Sequence, residues 1–293
     1  MVASLQKREV CMKRLLAILI FLLLALPVVA LAQQPPQVTT DPSQAFITGS
    51  LTVKGEGAAP TDRPLSAAQK KILAIRAAKV AALRELAEIL DGVAVSGETI
   101  VKDAATQSDT IRAAVQGMVK GAKVIQEAYD PMTEMGAVYV SISMHGANGI
   151  SGQLLPQILP TLPPPMAAVY MPPVTMPAPP QPNDALILDI REHSFKPALI
   201  NRILAENGEI LYDPTKIAQN ILVERGAGDY TNDVGKAKAI LSERGSKNPL
   251  VVKVAGVVKF TDVQVTGDDA ANIFAANQKS NFLEGAKVVF VLK

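Results

Sequence analysis

Proline dominates the middle of this chain and limits what it can fold into. Eleven prolines lie between residues 154 and 183, three of them consecutive at 163–165. Proline lacks the amide proton and fixes φ, so this stretch favours extended polyproline II. We therefore predict a semi-rigid spacer over residues 151–183 that joins two small folded modules, 46–150 and 184–293. Apolar residues within the stretch indicate that part of it lies against a domain; they are Leu154, Leu155, Ile158, Met166, Val169, Tyr170 and Met171.

A second constraint is an export signal at the N-terminus. Lys13-Arg14 precedes an apolar run from Leu15 to Leu26, and the small residues Ala30 and Ala32 follow at the positions that signal peptidase reads. This order predicts a signal peptide over residues 1–32, cleaved before Gln33, and a periplasmic product. The run is shorter than the roughly 20 residues of a membrane-spanning helix, so we expect no stable membrane anchor after cleavage.

The start of the chain leaves one alternative open, because Met12 directly precedes the basic pair and is a second candidate for the initiating residue. Cys11, the only cysteine, lies before the apolar run and is not placed to carry a lipid. The mature chain then has no thiol, which excludes disulfides, thiolate metal sites and cysteine nucleophiles. Residues 33–45 are polar and proline-bearing, and we predict a flexible leader there.

Charge and aromatic content argue against nucleic acid as a partner. The chain has 29 basic and 27 acidic residues, and removal of residues 1–32 leaves 25 and 26, a net charge of −1. A nucleic-acid-binding domain needs a basic surplus, which is missing here. The absence of tryptophan, with five tyrosines and seven phenylalanines, also argues against a base-stacking platform and an aromatic sugar-binding cleft.

The first module reads as α+β. A long apolar period predicts a helix that starts near Pro64 or Ser66 and stops at Asp91-Gly92, and its many alanines allow a close approach to a sheet. A shorter helix begins at Ser108. Strands are expected at 46–53, 122–129 and 137–144, and residues 93–101 form a short strand or an extended arm. This order predicts a helix packed across an antiparallel sheet.

The second module mixes strands and helices. A nearly continuous apolar run at 185–190 predicts a buried strand, and Asn207-Gly208 predicts the turn of a hairpin. Further strands are expected at 250–260, 262–265 and 286–292, and helices at 213–225, 233–244 and 268–283. The whole chain is therefore predicted to be two small mixed α/β modules of the α+β class.

Residues that could carry chemistry are isolated along the sequence. His145 and His193 have neither a second histidine nor a mature cysteine to share a metal, and no serine lies in Gly-x-Ser-x-Gly. Gly55-Glu56-Gly57 lacks the Lys-Ser/Thr pair of a phosphate loop, so we interpret it as a strand end. The spacing of Asp262, Asp268 and Asp269 does not match a calcium-binding loop, and Asp268 is interpreted as a helix cap. Asp103 and Asp109 flank a polar loop and are candidate caps as well. We predict no enzyme, cofactor or metal.

Residues 46–146 carry an ordered series of small and apolar positions. Its segments are Gly55-x-Gly57-x-Ala59, Ala77-Ala78-x-x-Ala81-x-Leu83-Arg84-x-Leu86-Ala87-Glu88, Gly92-Val93-x-Val95, Ser108-Asp109-x-Ile111 and Val115-x-Gly117-x-Val119-x-Gly121-Ala122. The series resembles the LPP-type twenty-kilodalton bacterial surface lipoprotein family and is similar to the N-terminal module of flagellar assembly protein T. The resemblance implies a small envelope domain without catalysis, and in its flagellar form a structural role in the ring around the motor.

These observations predict a non-catalytic exported envelope protein with a structural or assembly role through protein–protein contacts. The expected partners are envelope or flagellar proteins, and self-association and peripheral association with the outer membrane stay open. The alternative is a periplasmic module that binds a small ligand or an envelope glycan between its two halves. A pocket with convergent polar groups would favour that alternative.

Overall fold

The computed structural model describes residues 35–97, 99–162, 167–172 and 182–293. The predicted signal peptide and its cleavage residues Ala30, Ala32 and Gln33 lie outside these ranges. Residues 36–293 form one compact unit. Its helices and mixed sheets confirm the predicted α+β class, including a long helix packed on an antiparallel sheet.

The helices of the described chain are α1 (Pro42–Thr48), α2 (Ala67–Asp91), α3 (Val101–Gln107), α4 (Asp109–Lys120), α5 (Ile150–Ile158), α6 (Gln219–Arg225), α7 (Val234–Glu243) and α8 (Gly267–Ser280). Two short 3₁₀ turns lie at Leu159–Thr161 and Pro214–Lys216.

The strands of the first module are β1 (Ser50–Ala58), β2 (Ala94–Ser96), β3 (Thr99–Ile100), β4 (Lys123–Asp130) and β5 (Met135–Ser143). Those of the second module are β6 (Ala185–Asp189), β7 (Ile203–Ala205), β8 (Ile210–Tyr212), β9 (Asp229–Thr231), β10 (Pro249–Lys253), β11 (Gly256–Val258), β12 (Asp262–Val265) and β13 (Val288–Val291).

In the first module, α2 lies across an antiparallel sheet of order β1-β5-β4. The helix begins with a capping box, in which the Ser66 hydroxyl accepts from the Gln69 amide and the Gln69 side chain accepts from the Ser66 amide. The approach is close: a Cβ on Gly55 would lie 2.2 Å from the carbonyl oxygen of Ala78. A Cβ on Gly57 or Gly136 would lie 2.4 or 2.7 Å from the backbone of the same helix. These glycines therefore serve helix–sheet packing within the strands, rather than a strand end.

The second module is built on two sheets. Strands β10-β6-β13-β9 form a parallel sheet whose central strands are buried on both faces, because α7 covers one face and the rest of the core covers the other. Strands β11-β12-β7-β8 form a mixed sheet beside it. The predicted hairpin joins β7 and β8, with Gly208 at φ +84° and the Asn207 side chain accepting from the Glu209 amide.

The two modules meet at an interface that we call the seam. It includes Phe46 and β2 on one side, and Leu199, Ile200 and Tyr230 on the other. The amides of Leu199 and Ile200 donate to the carbonyls of Ala94 and Val95 at 3.0 and 2.9 Å, so β2 is tied to the second module. Phe46 of α1 meets Tyr230 edge-on, with ring centroids 5.3 Å apart. One buried apolar cluster contains residues of both modules, so they share a core.

The residues predicted as a flexible leader are partly ordered. Asp41 caps α1 by accepting from the Ser43 amide, and the Thr39 amide donates to Thr52 of β1 at 2.7 Å. Ala45 and Phe46 are buried. The strand expected from residue 46 begins at Ser50 instead, because the capped first turn and its two buried apolar side chains favour a helix against the seam.

The proline-rich stretch starts as a helix rather than as an extended spacer. Helix α5 includes Pro156, and its Leu154, Leu155 and Ile158 side chains are fully buried. These positions recur at a helical spacing of three and four residues, and burial against α4 and α6 stabilises that conformation. Further along, Tyr170 is 6% exposed, and its amide donates to Ile210 of β8.

Three smaller expectations are corrected. The polar loop expected between Asp103 and Asp109 is for the most part helix α3, which ends at Gln107. The helix expected over 213–225 is divided into a 3₁₀ turn and α6. Asp268 is a first-turn residue of α8 rather than its cap, because Thr266 accepts from the Asp269 amide there.

Candidate functional site

The two histidines are held by the fold and lie apart. His193 lies in the loop after β6. Its ring nitrogen Nε2 is 3.0 Å from the carbonyl oxygen of Val254. His145 follows β5 and is half-buried. Its Nδ1 lies 3.4 Å from the Ser151 hydroxyl, and a Cβ on Gly226 would lie 2.7 Å from its ring. Both rings therefore have packing and hydrogen-bonding roles.

A buried ion pair lies close to His145. Arg244 donates from Nη2 to Oδ1 of Asp229 at 2.6 Å, and both side chains are about 15% exposed. Burial raises the pKa of Asp229 to about 6, although the guanidinium groups of Arg244 and Arg225 oppose that rise. Burial, together with the nearby Arg244 charge, lowers the pKa of His145. At neutral pH the Asp229–Arg244 pair stabilises the fold only if the attraction between its two charges exceeds the cost of removing them from water.

The predicted carboxylate candidates are not brought together. Asp262 accepts from the Arg202 amide at 2.9 Å, while Asp268 and Asp269 lie in the first turn of α8. Among the residues that the structure describes, no group of three or more His, Cys, Asp or Glu side chains could hold a metal ion.

A concave surface of about 400 Å³ lies between α2, α3 and α4; we call it the helical groove. Its lining residues are Ala87, Asp91, Lys102, Ala105, Thr106, Arg112, Val115, Gln116, Val119 and Lys120. The floor is apolar, because Ala105 and Val115 are buried at 8% and 7% exposure and Ala87 and Val119 are half-buried.

The rim of the helical groove is mainly basic. Lys102, Arg112 and Lys120 are exposed around it, and Asp91 is the acidic lining residue. Arg112 is oriented from two sides, since it donates to Asp109 at 2.7 Å and to the Thr106 carbonyl at 3.3 Å. The groove therefore combines an apolar floor with cationic edges.

The apolar character continues along α2 away from the groove. Val80 is 59% exposed and lies seven residues, or two helical turns, before Ala87 on one side of the helix. Ile72, 52% exposed, lies two turns earlier still. Arg76 and Arg84 flank Val80 at a spacing of four residues, which makes them its neighbours on the helix surface.

Sequence reasoning missed this surface because it missed α3. The helix is only seven residues long and has no apolar run that marks it, but Val101 and Ala105 share the four-residue spacing of a buried helical face. Ile111, Val115 and Met118 repeat the pattern in α4. The groove exists only once these two short helices are placed against α2.

In the described ranges, no helix combines the length and the apolar character needed to cross a membrane.

Part of the chain is similar to a known protein family. Residues 185–293 match the family model of Treponema pallidum Tp0624, second domain. The match begins at the first residue of β6 and covers the second module. The helical groove lies outside it. No curated protein matches the chain at a significant level.

Proposed function

We propose that this protein is an exported, non-catalytic envelope protein with a structural or assembly role, and that it acts by holding a partner protein in the helical groove. The observation that carries the proposal is the composition of the groove: a buried apolar floor, Ala105 and Val115, surrounded by exposed cations. Such a surface stabilises a bound apolar face by removing it from water.

The occupant that fits this surface is an amphipathic helix with acidic flanks. A helix places its apolar anchors at i, i+3, i+4 and i+7, which suits a groove formed by three helices. Its carboxylates would meet Lys102, Arg112 and Lys120, and farther along α2 they would meet Arg76 and Arg84. Complementary charge chiefly sets the association rate and the choice of partner, while burial of the apolar face supplies most of the affinity.

The sequence supports the cellular setting of this proposal. Residues 12–32 have the order of a secretory signal, and residues 46–146 resemble an envelope lipoprotein family and the N-terminal module of flagellar assembly protein T. Cell fractionation should recover the protein in the periplasm, and recovery from the cytoplasm alone would contradict export. In a flagellated host, deletion of the gene should reduce swimming; normal swimming would exclude the flagellar role but leave other envelope assemblies in place.

A photo-activated cross-linker at Gln116 tests the groove directly. Gln116 is exposed at the groove, while Gln219 on α6 offers another exposed position away from it. We expect the Gln116 probe to cross-link one envelope protein in living cells, and the Gln219 probe not to do so. The cross-linked segment should contain a helical apolar stripe flanked by Asp or Glu.

The same segment, made as a peptide, then provides a quantitative test. Lys102→Glu with Lys120→Glu should weaken its binding at least tenfold, and charge reversal in the peptide should restore much of the loss. The matched control is Lys238→Glu with Lys247→Glu, which reverses two exposed charges on the second module. Equal binding by both double variants would rule out the groove as the docking site, as would a cross-linked segment that lacks acidic residues.

A further inference from the structure

The face of α2 that points away from the sheet carries apolar side chains beyond the helical groove. Ala78 and Ala82 face the sheet, because a Cβ on Gly55 would lie 2.2 Å from the backbone of both residues. A helix turns by about 100° per residue, so Val80, which is two residues from each, lies on the opposite side. Val80 is 59% exposed, and the neighbouring Ile72 is 52% exposed. The outward face of α2 is therefore apolar and open to solvent.

The residues along this face have the spacing of a coiled-coil helix. They lie alternately three and four residues apart, and we call them the α2 stripe: Leu73, Arg76, Val80, Leu83 and Ala87. This is the a/d spacing of a heptad repeat, which places successive side chains of one helix against a partner helix. The three stripe residues other than Arg76 and Val80 are half-buried. The stripe is about 21 Å long at 1.5 Å per residue, and it ends at the helical groove, which Ala87 also lines.

The charges beside the α2 stripe are positive. Residues 63–84 include six basic residues and no acidic one. Lys70 is paired with a carboxylate of the β4–β5 turn at 2.6 Å. Arg76, Lys79 and Arg84 are exposed and make no ion pair with the residues that the structure describes. In the heptad, Lys79 and Arg84 occupy the flanking positions g and e, where charge selects the partner, so an opposing helix needs carboxylates at its own flanks.

Arg76 lies within the α2 stripe rather than beside it. Its exposed side chain neighbours Val80, which is four residues away on the helix surface. An arginine can pack its methylene groups against an apolar partner while its guanidinium extends to the edge of the contact. Covering this guanidinium without a carboxylate would leave a buried charge unpaired. Arg76 therefore favours an acidic partner helix over an uncharged one.

We infer that the partner of the helical groove is a long acidic helix with a heptad repeat, which extends out of the groove and pairs with α2 along the whole α2 stripe. The inference rests on the proposed function and adds to it the length, the repeat and the flanking charges of the partner. The observation that carries it is the alternating three- and four-residue spacing of a solvent-exposed face between exposed cations. A lipid surface fits this face less well, because Arg76 lies in the middle of the stripe, where a membrane would have to bury it.

The first test uses a designed heptad peptide with Leu at positions a and d and Glu at positions e and g. The control peptide is identical except for Lys at e and g. In fluorescence anisotropy we expect the acidic peptide to bind the protein saturably and the basic peptide to bind at least tenfold more weakly. Equal binding of the two peptides, or no saturable binding of the acidic one, would overturn the inference.

A matched pair of valine variants locates the binding on the α2 stripe. Val80→Asn removes an exposed apolar side chain, so the fold is kept, and it should weaken binding of the acidic peptide about tenfold. Val251→Asn, the same change at a 46% exposed valine of β10, should bind normally. Unchanged binding by Val80→Asn would place the peptide elsewhere and overturn the inference. Sedimentation with phosphatidylglycerol vesicles that Val80→Asn abolishes, without binding of the acidic peptide, would assign the face to lipid instead.

A photo-activated cross-linker at Val80 separates this inference from the proposed function. In living cells, probes at Val80 and at Gln116 should cross-link the same envelope protein, through neighbouring parts of one acidic heptad segment. An adduct at Gln116 without one at Val80 would leave the groove proposal in place and overturn the extended helix. Absence of an adduct at both positions would contradict the proposed function together with this inference.

Discussion

Asp229 shows how a single residue at the seam couples folding to pH. Its pKa in the folded protein is about 6 because burial disfavours the charged form, whereas an ordinary aspartate has a value of 3.8. Between these values the folded state binds a proton that the unfolded state does not. This group therefore contributes stability as the pH falls through about 6, and destabilises the fold at neutral pH.

The expected result is a pH-dependent difference between the wild type and Asp229→Asn. Between pH 7 and pH 5 the free energy of unfolding of the wild type should rise by about 1 kcal/mol relative to the variant, since one pKa unit corresponds to about 1.4 kcal/mol. Asparagine keeps an oxygen that accepts from Arg244, so the comparison isolates the proton. Urea denaturation at a series of pH values measures the difference.

Asp184 provides the control, because its pKa is shifted the other way. Burial alone would raise the pKa of Asp184, but hydrogen bonds from the Ser246 hydroxyl and the amides of Lys247 and Asn248 outweigh it and lower the value. Its stabilisation is present above pH 3.8 and is lost only as the pH falls below that. Asp184→Asn should thus run parallel to the wild type from pH 7 to pH 5. A parallel course for Asp229→Asn as well would contradict the raised pKa.

At the scale of elements, α5 is where the proline pattern and the tertiary structure differ most. The prolines predicted an extended spacer, but only Pro156 lies inside the helix, and Leu154, Leu155 and Ile158 are fully buried. The free energy gained by burying these side chains exceeds the local preference of the flanking prolines for extended backbone. The stretch therefore belongs to the core at its beginning.

We expect Leu154→Ala to lower the free energy of unfolding by roughly 2–5 kcal/mol, because it removes buried methyl groups and leaves a cavity. Met171→Ala removes a side chain of the same stretch that is 79% exposed, and should change stability by less than about 0.5 kcal/mol. Urea denaturation followed by far-ultraviolet circular dichroism measures both. If Leu154→Ala lowered the free energy of unfolding as little as Met171→Ala, residues 150–158 would instead behave as an exposed spacer.

At the scale of the whole molecule, the seam joins the two modules through a shared core. Buried side chains of both modules share a cluster, Phe46 packs on Tyr230, and the Gly146 amide donates to Val223 at 2.8 Å. Separation of the modules would expose these apolar surfaces and leave the hydrogen bonds of the seam unpaired.

We therefore expect a single unfolding transition for this protein. In differential scanning calorimetry the calorimetric and van't Hoff enthalpies should agree, and circular dichroism and tyrosine fluorescence should report the same midpoint. Two resolved transitions would show that the modules unfold independently and that the seam contributes little free energy.

The predictable part of this protein is the part set by close neighbours along the chain. The Ser66 cap and apolar period of α2, the hairpin at Asn207-Gly208 and the buried run of β6 depend on signals within a few residues. Of the candidate site, the sequence did not predict α3, because the helical groove needs partners that are distant in sequence.

The sequence by itself determined the α+β class, the long helix over an antiparallel sheet and the boundaries of most long elements, because hydrophobic period and capping residues act locally. Only the tertiary structure decided that the start of the proline-rich stretch is buried and that α1 and β2 pack onto the second module. Those outcomes depend on burial against residues far along the chain, and burial is a property of the assembled core rather than of any local pattern.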